Sequence, residues 1–145
     1  MPTVGGRCSP RGYNVDNKPA ILLLVDDDVL MRDLLRTELA EAGFEIVTAH
    51  DGRRALGELD AGATRFRAVI TDVNLGVGPD GWEVGRHARE LVADMPIVYI
   101  SGDSGHEWSS KGVPDSVIIA KPFVPAQLVT AIAMLINDVD THRIG

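Results

Sequence analysis

The chain has 145 residues, 45% of them hydrophobic and 24% charged, with 14 basic against 21 acidic side chains and a net charge of −7. This length suits one domain with a single core, and the negative charge argues against nucleic acid or an anionic membrane as the main partner. No run approaches the roughly 20 apolar residues of a membrane-spanning helix. The N-terminal residues lack the apolar stretch of a secretory signal, and the single cysteine, Cys8, excludes an internal disulfide. These features predict a cytoplasmic location.

In chain order, polar and glycine-rich sequence gives way to alternating strand and helix patterns. Residues 1–18 predict a disordered leader before a domain spanning 19–139 and a C-terminal tail of 140–145. The uninterrupted apolar run 20–25 is typical of a parallel strand that is covered on both faces. From Val29 the spacing becomes helical, with four leucines predicted to face inward: Leu30, Leu34, Leu35 and Leu39.

The same alternation continues to the end of the predicted domain. Further strands are predicted over 44–49, 68–71, 96–100 and 116–120. Further helices are predicted over 51–59, 81–92, 106–111 and 125–136. Five strand–helix units of this length favour an α/β fold with a doubly wound, five-stranded parallel sheet, and right-handed crossovers favour the strand order 2-1-3-4-5.

Polar side chains occur at the ends of four of the predicted strands. Asp26 and Asp27 follow the first strand, Asp72 the third, Ser101 the fourth and Lys121 the fifth. In doubly wound sheets ligands bind beyond the carboxyl ends of the strands, so these side chains are predicted to share one site. Oxygen ligands without His or Cys favour Mg²⁺ over zinc. A carboxylate that is flanked by a metal ion and a lysine can form an aspartyl phosphate.

This ordered set resembles the receiver domain of two-component response regulators, over roughly residues 19–137. The resemblance implies a flavodoxin-like receiver fold and a stand-alone regulator in which Asp72 accepts a phosphoryl group from a histidine kinase or a phosphorelay histidine. It also implies that Mg²⁺ binds to Asp27, to Asp72 and to the backbone carbonyl of Asn74, while Asp26 acts through water.

The resemblance implies further roles around that acceptor. Lys121 would pair with the phosphoryl group, Ser101 would follow it, and the peptide bond before Pro122 would be cis. Asn74 and Asp103 would flank the path of the attacking water and tune the lifetime of the phosphorylated form. The protein would be no enzyme beyond assisting its own phosphorylation and dephosphorylation. Its partners would be a sensor histidine kinase or phosphotransfer protein and an unidentified output protein, with a homodimer left open.

Three segments depart from the usual pattern of that family. The loop after Asp72 is longer and richer in glycine than usual. The position three residues before Lys121, commonly a Tyr or Phe that acts in the switch, is Ile118. This departure predicts that the signal relies on backbone shifts in the loop after Ser101. The segment 103–114 is a poor helix sequence, so a short or partly unwound helix is expected there.

Two other functions stay open on the residues alone. The run from Asp26 to Asp28 imitates the Asp-x-Asp signature of haloacid-dehalogenase-like phosphatases, with Asp26 as nucleophile, Asp28 as acid/base and Asp72 incidental. Against that interpretation, no acidic metal-binding pair follows Lys121 near a strand end. The other alternative is a receiver-like module that serves only for protein contact and is not phosphorylated.

Several side chains near the predicted site have simpler structural explanations. Asp28 opens a helix and is predicted to be its N-cap rather than a further site acid. Trp82 and Trp108 are predicted to pack in the core or cover loops. The histidines are predicted to be solvated, and none is interpreted as a phosphorelay histidine: His50, His87, His106 and His142.

Overall fold

The structure is a computed structural model that describes residues 18–103 and 105–144, with side chains described through Thr141. The predicted leader, residues 1–18, lies outside the described residues apart from Lys18, and so does the side chain of His142. The strands are β1 (Ile21–Val25), β2 (Glu45–Ala49), β3 (Phe66–Asp72), β4 (Ile97–Ser101) and β5 (Val117–Ala120). The α-helices are α1 (Val29–Glu41), α2 (Gly52–Gly62), α3 (Gly81–Leu91), α4 (Trp108–Lys111) and α5 (Pro125–Ile144), with 3₁₀ turns at Ala63–Arg65 and Gly105–Glu107.

The five strands form one parallel sheet in the order β2-β1-β3-β4-β5, which confirms the predicted doubly wound topology. Their register aligns the carboxyl ends of neighbouring strands: Val25 pairs with Thr71, Asp72 with Ile100, and Ser101 with Ala120. The residues at or just beyond these ends therefore come to one edge of the sheet. This register positions the predicted site.

Two apolar layers cover the two faces of the sheet. Alternate residues of β1 divide between them, since Leu23 and Val25 lie in one layer and Leu22 and Leu24 in the other. Helices α2 and α3 complete the first layer, and α1 and α5 complete the second. Burial on both faces explains why the central strands are apolar at nearly every position.

Helix α1 presents fewer leucines to the sheet than predicted. Leu35 and Leu39 are buried, but Leu30 and Leu34 are 81% and 48% exposed, so the prediction is wrong for those two. The stripe that faces the sheet consists of Met31, Leu35 and Leu39, spaced four residues apart. Leu30 and Leu34 lie one position, or about 100°, around the helix from that stripe. Packing against the sheet sets this rotation, and the leucine spacing alone did not determine it.

Helix α5 is longer than predicted. It continues to Ile144 rather than ending at 136, so most of the segment 140–145 that was predicted as a tail is helical. Arg67, near the start of β3, places its Nη2 atom 2.9 and 2.7 Å from the two carboxylate oxygens of Asp140. This ion pair links the last turns of α5 to the start of β3. Local sequence does not indicate a contact between residues so far apart.

The ends of the helices follow the expected capping chemistry. Asp28 accepts hydrogen bonds from the backbone N–H groups of Leu30 and Met31, which confirms its role as the N-cap of α1. Asp51 caps α2, and Gly43 adopts a φ of 103° just after α1. Helix α4 has a single turn, as its sequence led us to expect.

Within the part of the chain that the structure describes, no helix combines the length and apolar character that a membrane span needs.

The start of α3 lies against the backbone at the end of β3. The backbone N–H of Gly81 donates to the carbonyl of Val73 at 2.8 Å. A Cβ atom on Gly81 would lie 2.7 Å from the Cα of Val73 and would clash with the carbonyl oxygen of Asp72. Only glycine allows this approach, because backbone atoms on both sides have little room to move.

We expect Gly81→Ala to lower the free energy of unfolding by about 1–3 kcal/mol through overpacking. Gly57→Ala is the matched control, since Gly57 is exposed on α2 and a Cβ there meets no atom within 4 Å. That change should stabilise the protein by about 0.5–1 kcal/mol, because alanine is the better helix former. Urea unfolding followed by circular dichroism measures both. Equal effects of the two substitutions would contradict the close approach.

Candidate functional site

The structure brings the predicted side chains together at the carboxyl edge of the sheet. Asp26 and Asp27 follow β1, Asp72 ends β3, Ser101 ends β4 and Lys121 follows β5. The Nζ atom of Lys121 donates to Oδ2 of Asp72 at 3.0 Å, and its backbone N–H donates to the carbonyl of Ser101 at 2.9 Å. We call these five residues the acidic site.

Three carboxylates of the acidic site converge. Asp26, Asp27 and Asp72 each offer one oxygen atom, and these atoms lie within 4.8 Å of one another. Asp26 and Asp72 are buried, whereas Asp27 is exposed. The Oδ2 atom of Asp26 is buried without a hydrogen-bond partner among the described residues. Oxygen ligands, an orphaned buried oxygen and an open side fit a small divalent cation such as Mg²⁺, which keeps part of its hydration shell.

Burial shifts the ionisation of these groups. Desolvation raises the pKa of Asp26 to about 6, although the N–H of Asp28 donates to its Oδ1 and lowers it in part. Desolvation also raises the pKa of Asp72, against the opposing hydrogen bond from Lys121. Burial disfavours the Lys121 ammonium, but its hydrogen bond to Asp72 and the charges of the three nearby carboxylates together outweigh that cost and raise its pKa. Asp26 and Asp72 thus hold negative charge that one ammonium does not fully balance.

The two residues predicted to flank the acceptor also meet. Nδ2 of Asn74 donates to Oδ1 of Asp103 at 3.5 Å, and both residues are exposed. The backbone N–H of Asn74 also acts on the carboxylate of Asp72 and lowers its pKa in part. The involvement of the Asn74 carbonyl in metal binding stays a prediction. The peptide bond between Lys121 and Pro122 is cis, the geometry expected at this position.

The glycine-rich loop after Asp72 is anchored on both sides of an exposed tip. Leu75 is buried and Pro79 contacts Gly52 at the start of α2. Between them, Gly76 and Gly78 have φ angles of 75° and 97°, conformations that glycine adopts without strain. Their turn leaves the intervening Val77 almost fully exposed. The loop therefore forms a surface turn between two anchored points.

Comparison with known proteins decides the family. A family model described as the response regulator receiver domain matches residues 22–133. The chain belongs to the response regulator receiver family. The resemblance noted from the strand-end residues is thereby confirmed.

Relatives of this receiver include both curated proteins and solved structures. The transcriptional regulatory protein PrrA of Mycobacterium leprae is 34% identical over 118 residues, which cover 80% of this chain and 49% of that protein. A response regulator receiver protein of Sinorhizobium medicae is 44% identical with a TM-score of 0.79, covering 81% of this chain and 94% of that one. The chemotaxis protein CheY4 of Vibrio cholerae is 31% identical with a TM-score of 0.71, covering 80% and 98%. The receiver spans about half the length of curated relatives such as PrrA.

The receiver has a buried aromatic residue near the position that Ile118 occupies in β5. Tyr99 lies on β4, two residues before Ser101, and is fully buried. Its hydroxyl oxygen accepts a hydrogen bond from the backbone N–H of Val113 at 3.2 Å. Ile118 packs against the same apolar layer. We did not predict a role for Tyr99, although a tyrosine in an otherwise aliphatic strand was a visible signal.

Both tryptophans of the receiver have the packing roles predicted for them. Trp82 is buried and its ring centroid lies 4.7 Å from that of Tyr99. Trp108 is half-buried, and its Nε1 atom donates to the hydroxyl of Ser116 at 2.9 Å. Together with the bond between Tyr99 and Val113, these contacts attach the segment after Ser101 to strands β4 and β5.

We expect Asp26→Asn to stabilise the metal-free receiver at pH 7.5 by about 2–3 kcal/mol. The folded-state pKa of Asp26, about 6, lies above its ordinary value of 3.8. The stability associated with its protonated form is therefore fully present below pH 3.8 and lost as the pH rises through 6. Urea unfolding in the presence of a chelator at pH 4 and pH 7.5 measures the difference, which should be small at pH 4. Asp28→Asn, which keeps the helix cap, is the control; a loss of stability in Asp26→Asn at pH 7.5 would contradict the account.

We expect Tyr99→Phe to lower the free energy of unfolding by about 1–3 kcal/mol, because the buried N–H of Val113 loses its acceptor. The ring and its contact with Trp82 are retained, so the substitution isolates the hydroxyl. Chemical denaturation monitored by tryptophan fluorescence provides the value. Unchanged stability would mean that this hydrogen bond does not hold the segment.

Proposed function

We propose that this receiver accepts a phosphoryl group on Asp72 from a phosphohistidine, in a reaction that requires Mg²⁺. The observation that carries the proposal is the position of the Asp72 carboxylate. One of its oxygens accepts a hydrogen bond from Lys121 at 3.0 Å, and carboxylate oxygens of Asp26 and Asp27 lie within 4.8 Å. A nucleophilic carboxylate between an ammonium and a cation site is suited to phosphoryl transfer.

In the proposed reaction, a carboxylate oxygen of Asp72 attacks phosphorus. The bond between phosphorus and the imidazole nitrogen of the donor breaks, and its electron pair stays with the imidazole, which takes up a proton. When bound, the cation would neutralise charge on the phosphoryl oxygens. Asp27, Asp72 and the carbonyl of Asn74 would hold it, and Asp26 would act through water. Raised pKa values at Asp26 and Asp72 support this assignment, since a cation would relieve the charge that burial makes costly.

Lys121 and Ser101 would respond to the new group. The Lys121 ammonium, which donates to Asp72 at 3.0 Å, would bind a phosphoryl oxygen attached to that carboxylate. The Ser101 hydroxyl, buried at the end of β4, would turn toward another of these oxygens. Because Ile118 has no ring to move, the signal would pass through backbone shifts in the segment after Ser101. Its attachments through Tyr99 and Trp108 support this route.

We further propose a single-domain regulator in the cytoplasm whose output is binding to another protein or onward phosphoryl transfer. A histidine kinase or phosphotransfer protein would be the donor. The match covers 98% of the solved chain of CheY4, which is described as a chemotaxis response regulator, and this similarity supports the proposed regulatory role. Hydrolysis of the phosphoryl group would depend on Asn74 and Asp103, whose side chains are joined by a hydrogen bond.

Chemical labelling tests the acceptor directly. We expect incubation with Mg²⁺ and acetyl phosphate, followed by borohydride reduction and peptide mass spectrometry, to place the label on Asp72. Asp72→Asn should abolish labelling, and chelation of Mg²⁺ should do the same. Asp28→Asn is the matched control: it removes a neighbouring carboxylate but keeps a cap-forming side chain, so labelling should persist.

Each other outcome of the labelling experiment supports a different function. Label on Asp26 would favour the phosphatase interpretation, in which Asp26 is the nucleophile. No label in the folded wild-type protein would favour a module that only binds other proteins. Label that persists in Asp72→Asn would overturn the proposed acceptor.

A further inference from the structure

Asp26 is held by contacts to three of its four hydrogen-bonding groups. Its backbone N–H donates to the carbonyl of Ala49 at 3.1 Å. Its Oδ1 atom accepts from the N–H of Asp28 at 2.9 Å, and its carbonyl accepts from Nη1 of Arg32 at 2.8 Å. The Oδ2 atom is the one buried side-chain oxygen without a partner among the described residues. The turn is therefore fixed in an orientation that leaves this oxygen available to the acidic site.

Arg32 differs in kind from the other two groups that hold Asp26. Ala49 and Asp28 contribute backbone atoms, which any sequence supplies, whereas Arg32 contributes a side chain that extends back from α1. The peptide carbonyl that it binds directly precedes Asp27, the exposed carboxylate of the cluster. Arg32 is half-buried, so its guanidinium is only partly available to solvent. A donor at this carbonyl limits rotation of the peptide plane between Asp26 and Asp27.

We infer that Arg32 is a positioning residue that preorganises the turn of Asp26 and Asp27 for a divalent cation. The inference deepens the proposed function and rests on it. Preorganisation strengthens binding because the turn does not have to be ordered when the cation arrives. The charge of Arg32 acts in the opposite direction, because a nearby cation repels another. Removing Arg32 therefore weakens cation binding if positioning dominates and strengthens it if charge dominates.

The first measurement is the Mg²⁺ dissociation constant of the whole chain by isothermal titration calorimetry. We expect Arg32→Met to weaken binding about tenfold, or about 1.4 kcal/mol. Arg32→Lys should recover part of the loss, because an ammonium can donate one hydrogen bond to the carbonyl. The matched control is Arg36→Met: Arg36 is exposed one turn further along α1, and its replacement changes the net charge equally. That variant should bind Mg²⁺ at least as tightly as the wild type.

The second measurement reports on the turn without any metal. Hydrogen exchange of the Asp28 amide, which donates to Oδ1 of Asp26, should be several-fold faster in Arg32→Met than in Arg36→Met. Circular dichroism confirms that each variant is folded. Should Arg32→Met fail to fold, Arg32→Lys compared with Arg36→Lys provides the same two readings, with smaller differences of the same sign.

The outcomes separate the inference from the function on which it rests. Mg²⁺ binding in Arg32→Met that equals or exceeds that of the wild type overturns the inference alone, as does unchanged exchange of the Asp28 amide. Failure of the wild-type protein to bind Mg²⁺ overturns the proposed function and the inference with it. Weaker binding together with faster exchange, absent in the Arg36 control, supports the positioning role.

Discussion

The buried carboxylates of Asp26 and Asp72 lie near a single ammonium, that of Lys121. The site therefore has an excess of negative charge, and its affinity for a cation depends on that excess. Burial raises the pKa of both carboxyl groups, and the hydrogen bond from Lys121 compensates only part of the cost for Asp72. A buried charge is tolerated when it is paired or binds a cation. The proposed Mg²⁺ dependence follows from this imbalance rather than from the number of acidic residues.

The register of the parallel strands produces this charge imbalance, because it places the acidic side chains next to one another. Parallel pairing brings the ends of β1, β3, β4 and β5 to one edge of the sheet, and two apolar layers bury the sheet below them. The close approach of Gly81 to the backbone of Asp72 brings the start of α3 against this edge. The geometry that makes the charges costly to bury is therefore set by backbone packing, which in turn preorganises a cation site.

Local patterns predicted the sheet order, the caps at Asp28 and Asp51, and the grouping of the strand-end side chains. They succeeded because apolar runs mark buried strands and because parallel strands end at the same edge. They failed where a long-range contact decides the result. The rotation of α1 depends on its packing against the sheet, which exposes Leu30 and Leu34. Helix α5 extends beyond its predicted end, where Asp140 pairs with Arg67 of β3, and the contact of Arg32 with the Asp26 carbonyl depends on the path of the turn.

The most direct test of the charge imbalance is the titration of the Asp26 carboxyl carbon by ¹³C NMR, without and with saturating Mg²⁺. Without the cation, we expect a pKa of about 6 for Asp26. With Mg²⁺ bound, we expect a pKa below the ordinary value of 3.8, because the cation stabilises the carboxylate. An Asp26 pKa near 3.8 without metal, or one that Mg²⁺ leaves unchanged, would contradict the account.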